Sequence, residues 1–100
     1  MKHKVCNVSE IEEGKGKRVV IEGVEIGIFK VDGEYHAIEN ACTHAGASLS
    51  EGIMEGKQVT CPLHAWKFDV TTGVCNMFDG APNVKKFKVT VENDEVYIEL

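Results

Sequence analysis

The sequence predicts an all-β fold of short antiparallel strands, on three observations. Residues 85–92 alternate, setting Phe87, Val89 and Val91 on one face and Lys86, Lys88 and Thr90 on the other, the period of a half-buried strand. Residues 18–22 and 25–31 are rich in Val and Ile, whose branched side chains suit a pleated sheet. Between such runs stand the pairs Asp32-Gly33 and Asn93-Asp94, which favour the tight turns of hairpins.

Taken in order, a first strand is expected at residues 4–8. Ser9-Glu10-Ile11-Glu12 has the S-x-x-E form of a capping box, so one helical turn should follow, ended by Gly14 and Gly16, with Glu10, Glu12 and Glu13 as its solvated face. Strands 18–22 and 25–31 join at Gly23, and Asp32-Gly33 returns the chain as a strand over 35–39. Residues 51–57 read as a short hairpin and 58–61 as a strand. A further strand over 66–69 holds Trp66 and Phe68 on one side, because the side-chain period is two. Thr72-Gly73 and Asp79-Gly80 mark turns on either side of 74–78, and Pro82 fits a loop because it cannot donate to a central ladder. The alternating strand turns at Asn93-Asp94 into 96–100, a terminal hairpin with one face buried.

One hundred residues, 43% of them hydrophobic, make one domain over 1–100 with a modest core. No apolar stretch approaches bilayer length. The charged start Met1-Lys2-His3-Lys4 leads into Val5-Cys6-Asn7-Val8-Ser9-Glu10, which is no signal-peptide core. A soluble, cytoplasmic protein without a membrane partner is expected. Acidic residues number 16 against 11 basic, a formal charge of −5, with no basic patch interleaved with aromatics, so nucleic acid is excluded as a partner. The sequence contains no G-x-G-x-x-G, no phosphate loop and no serine beside an acid–base pair. Glu51 and Glu55 define no substrate pocket, so no catalytic residue is assigned. His3 and His36 stand alone, His36 as a partly exposed strand residue, while Cys6 and Cys75 sit in apolar settings that suit buried, unreactive thiols.

The chemistry concentrates in Cys42-Thr43-His44 and Cys61-Pro62-Leu63-His64, with sixteen residues between His44 and Cys61. Each group offers one thiolate and one imidazole. A zinc finger usually places its cysteines in one half and its histidines in the other. A two-iron, two-sulfide cluster with one histidine-ligated iron needs two thiolates and two imidazoles, and two loops supplying one of each can put both cysteines on one iron and both histidines on the other. Spacing favours the cluster and leaves a tetrahedral zinc site as the alternative.

The surroundings extend the pattern: Asn40-Ala41 before Cys42, Ala45-Gly46 after His44, then Ala65-Trp66-Lys67-Phe68-Asp69, Thr72-Gly73 and Gly80-Ala81-Pro82. In these the chain resembles the Rieske family over about residues 5–100, specifically the small soluble ferredoxins that serve ring-hydroxylating dioxygenases, with the small subunit of nitrite reductase as a near relative. The resemblance implies an antiparallel β-sandwich base with a small cluster-binding subdomain at about 40–82, covered by a proline loop at Gly80-Ala81-Pro82. It implies one Rieske-type [2Fe-2S] cluster held by Cys42, His44, Cys61 and His64, the cysteines on the inner iron and the histidines on the outer, exposed one. The function implied is that of an electron carrier, not an enzyme: a monomer taking single electrons from a flavoprotein reductase to a terminal oxygenase. The alternatives are a nitrite reductase small subunit and a structural zinc module. A low reduction potential is also implied. Ala47 and Leu63 stand where membrane-bound relatives carry a cysteine pair, and Trp66 and Phe68 stand where those relatives carry the hydroxyls of serine and tyrosine.

Overall fold

Turn chemistry and strand alternation generate the architecture of the computed structural model, which describes residues 2–40, 48–62, 66–75 and 83–100. Within these, β1 (Lys2–Asn7) leads through a 3₁₀ turn (Val8–Glu10) to β2 (Gly16–Ile21), β3 (Val24–Val31) and β4 (Glu34–Glu39). A second 3₁₀ turn (Leu49–Glu51) precedes β5 (Ile53–Glu55), β6 (Gln58–Thr60) and β7 (Lys67–Asp69), and β8 (Lys86–Glu92) and β9 (Glu95–Glu99) close the chain. All named strands pair antiparallel.

The expected hairpins form with two-residue turns. Ile21 pairs with Val24, Val31 with Glu34 and Glu92 with Glu95. The residues between them have positive φ: Glu22 50° and Gly23 81°, Asp32 50° and Gly33 79°, Asn93 52° and Asp94 61°. Two left-handed residues in succession define the type I′ turn, whose twist matches that of the strands it joins.

The strands form a six-stranded sheet in the order β1-β9-β8-β4-β3-β2 and a three-stranded sheet β5-β6-β7. The two halves of the larger sheet meet at only two residue pairs, Ala37–Phe87 and Ile38–Lys86. Their inner faces share one apolar cluster that includes Cys6, Ile21, Ile26, Ile28, Ala37, Phe87, Val96 and Ile98. The base is thus a sandwich made by one sheet folded on itself. A second cluster joins Phe29, Val31 and Ile38 to Leu49, Val59, Cys61, Phe68, Val70, Cys75 and Val84. Strands β3 and β4 therefore carry apolar residues on both faces, which is why Ile26-Gly27-Ile28-Phe29 reads as a continuous buried run. Phe29 and Phe68 are fully buried, each contributing about 1.5–3 kcal/mol of transfer free energy.

Several local expectations need correction. The helical turn starts two residues early, with Asn7 as its N-cap and the Glu10 carboxylate accepting the Asn7 N–H at 2.8 Å. Neither Gly14 nor Gly16 ends it, since it closes at Ile11 and Gly16 opens β2. The capping pair is Asn7 and Glu10 because β1 runs to Asn7, leaving Ser9 inside the turn. Glu10 and Glu13 are structural acceptors and not merely a solvated face, as Glu13 accepts the backbone N–H groups of Asp32 and Gly33. Val91 is exposed, so the buried face of β8 ends at Val89 as the hairpin twists away from the core. Cys6 and Cys75 are free thiols in different clusters. Burial, followed by the charge of Glu10, pushes the Cys6 thiol up. Asp79-Gly80, Pro82 and most of 74–78 lie outside the described residues.

Candidate metal centre

Of the four sequence-predicted ligands, Cys61 lies within the described residues; Cys42, His44 and His64 lie outside them. What the structure shows is how the chain holds the ends of the segments that carry them.

Strands β6 and β7 pair Val59 with Phe68 and Thr60 with Lys67. In the next position the Cys61 N–H donates to the Trp66 carbonyl at 2.7 Å. That bond ties together the two ends of segment 62–65, with Cys61 directly before it and His64 within it in sequence. Cys61 is 2% exposed and packs in the second cluster, against which Trp66 is also packed. Trp66 and Phe68 thus share a side, as the alternation requires.

The segment 41–47, which carries Cys42 and His44, begins after Asn40 and ends at Ser48. The Leu49 N–H donates to the Asn40 carbonyl at 2.6 Å, tying the two ends together. Segment 76–82, which includes Pro82, is bracketed similarly. The Cys75 N–H donates to Asn83 Oδ1 at 3.0 Å, and the Val84 N–H donates to the Gly73 carbonyl at 2.9 Å. Leu49, Cys61, Cys75 and Val84 all belong to one apolar cluster, so the roots of the three segments stand on a common floor.

Gly52 locks the first root to the second. A Cβ at this position would lie 2.2 Å from the Thr60 carbonyl oxygen and 3.1 Å from that of Leu49. Only glycine lets the 3₁₀ turn approach β6 this closely. Sequence reading missed Gly52, Asn83 and the structural part of Asn40. A signal existed for Asn40, a polar residue directly before the first cysteine, but its burial was not legible locally.

The donor set fits a histidine-ligated iron–sulfur cluster. A buried cysteine would suit a thiolate ligand of such a cluster, and two thiolates, two sulfides and two ferric ions sum to zero charge, so the oxidised group would bring no net charge to the apolar floor. Among the described residues no helix is long and apolar enough to cross a membrane.

Comparison with known proteins agrees with this geometry. The Rieske [2Fe-2S] domain model matches residues 1–88. The ferredoxin component of the naphthalene 1,2-dioxygenase system of Pseudomonas putida is 41% identical over 93 residues, covering 93% of this chain and 89% of that protein. Among solved structures, a chain from the complex of reduced oxygenase and oxidised ferredoxin of carbazole 1,9a-dioxygenase superposes with a TM-score of 0.89 at 35% identity, covering 97% of this chain and 91% of that one. A protein described as the small subunit of a nitrite reductase (NADPH) gives a TM-score of 0.85 at 27% identity, covering 100% and 99%. With a family model spanning residues 1–88 and a relative 41% identical over 93% of its length, the chain belongs to the Rieske [2Fe-2S] domain family.

Proposed function

We propose that Cys42, His44, Cys61 and His64 hold one [2Fe-2S] cluster, and that the protein carries single electrons from a flavoprotein reductase to a terminal oxygenase in the cytoplasm. The observation that carries this reading is Cys61, buried on the apolar floor and bonded to Trp66 across the segment in which His64 follows three residues later in sequence. When bound, the cluster supplies reversible one-electron storage. The chain supplies the rest. Cys61 brings an anionic ligand to the interior, the Asn40, Gly52 and Asn83 contacts hold the roots of the loops, and Trp66 and Phe68 exclude water from one side of β7.

In this reading residues 1–100 are a single domain in which about 40–82 form the cluster-binding part. The separate β5-β6-β7 sheet and the shared floor support that division. The same geometry would serve a nitrite reductase small subunit. The higher identity to a dioxygenase ferredoxin, 41% against 27%, favours the oxygenase system.

The test is compositional and spectroscopic. Purified protein should carry two iron and two acid-labile sulfide per chain and a reduced-state resonance of Rieske type. One equivalent of zinc without sulfide, in protein assembled with ample iron and no oxygen, overturns the reading. Removing a ligand by His64→Ala should abolish that resonance; its survival at full strength overturns the assignment of His64.

A further inference from the structure

Asn40 is 1% exposed, the sole buried polar side chain among the described residues. A carboxamide in such a place costs free energy unless both of its ends are paired. Both are: Asn40 Nδ2 donates to Ser48 Oγ at 2.7 Å, and Oδ1 accepts the Ser50 N–H at 2.8 Å. Its main chain adds two bonds, the carbonyl accepting from Leu49 at 2.6 Å and the N–H donating to the Glu25 carbonyl at 3.1 Å. One residue therefore ties the start of segment 41–47 to its end, and ties both to β3. Space for the carboxamide comes from Gly27, where a Cβ would lie 3.0 Å from Asn40 Oδ1 and 3.0 Å from the Phe29 ring.

We infer that Asn40 is a positioning residue for the electron-transfer centre: through segment 41–47 it fixes Cys42 and His44 relative to Cys61. This rests on the ligand assignment proposed above. The residue type follows from the site. Aspartate at neutral pH accepts only and would bring a charge into a slot with no cation among the partners named here, and leucine of similar size makes neither bond. A neutral group of this size with a donor at one end and an acceptor at the other is asparagine. Loosening either bond lets the two roots of the segment drift, which spreads the geometries available to the first ligand pair without removing a ligand.

The experiment uses the holoprotein and two variants, Asn40→Leu and Ser48→Ala, with Val20→Ala on the exposed edge strand β2 as control. Iron and labile sulfide are measured first in the wild type; if they are absent, the ligand reading falls and this role falls with it, before any variant is compared. The expected result is a normal far-ultraviolet spectrum with a broadened reduced-state resonance and iron loss to a chelator accelerated about tenfold, the scale typical of disturbing the groups that orient metal ligands. Ser48→Ala leaves Asn40 in place and decides the matter if Asn40→Leu does not fold. Linewidth and iron loss in Ser48→Ala equal to those of Val20→Ala overturn the inference.

Discussion

Glu13 holds the β3–β4 turn from outside it. Its carboxylate accepts the Asp32 N–H at 2.7 Å and the Gly33 N–H at 3.0 Å. The bonds from Gly33 and then Asp32 hold the carboxyl below the ordinary glutamate value of 4.5. The sign follows from linkage: the folded state binds this proton less readily than the unfolded one, so the contribution to stability is present above pH 4.5 and is lost as pH falls through the lower folded value. Glu13→Ala should lower the urea midpoint at neutral pH, and the gap from wild type should narrow in acid. A gap that is constant across that range would remove Glu13 from the account. This role was illegible in the sequence because the partners lie 19 and 20 positions away, whereas the turn residues Asp32-Gly33 themselves were plain from local chemistry.

At the scale of elements, the hairpins were legible because alternation and turn type are local properties. The root-to-root contacts were not. Gly52 reads in sequence as an ordinary turn glycine, while its requirement comes from the Thr60 carbonyl eight residues on. Gly52→Ala should destabilise the protein by about 1–3 kcal/mol, the usual cost of overfilling a packed site, with a parallel loss of bound iron. Thermal unfolding and iron retention unchanged from wild type would show that β6 can move aside. Strand β7 and Trp66 directly before it carry a second consequence. Phe68 is fully buried and Trp66 packs against the same cluster, and neither side chain carries a hydroxyl to donate. Fewer donors leave the reduced state less stabilised, and the potential is expected near the bottom of the range of roughly −150 to +300 mV for this cluster type. Voltammetry giving a value well above zero at neutral pH would contradict it.

For the whole molecule, composition gave the net charge of −5 but not its arrangement. Of the carboxylates near the ligand loops in sequence, Glu39 is committed internally, accepting the Lys85 N–H at 2.6 Å, while Glu51 and Glu55 are exposed. The latter two remain available for steering toward a basic partner. Reduction of the oxidised protein by the flavoprotein reductase proposed above should therefore slow as salt rises from about 0.01 to 0.15 M, over which the screening length contracts from about 30 to 8 Å. Stopped-flow rates that stay flat across the series would leave apolar contact as the basis of recognition. The family itself was legible as a resemblance, carried by Cys42, His44, Cys61 and His64 together with the motifs around them from Asn40 to Pro82. The folding of one sheet into a sandwich through two residue pairs was not, because it depends on contacts between residues some fifty positions apart.

The wall formed by β3 and β4 also bears on how the chain folds. Ile26 and Ile28 face one cluster, Phe29 and Val31 the other, so neither core can consolidate until this pair exists. The meander β2-β3-β4 is built from neighbouring strands and two-residue turns, contacts with little loop-closure entropy to overcome. It is thus suited to be the nucleus on which the β8–β9 hairpin and the β5-β6-β7 sheet condense from opposite sides. Ile28→Val, at a cost of about 0.5–1.5 kcal/mol, should then act mainly by slowing refolding, while Val59→Ala on β6 should act mainly by hastening unfolding. On this view the base is already folded when the β5-β6-β7 sheet, which leads to and from Cys61, packs onto it.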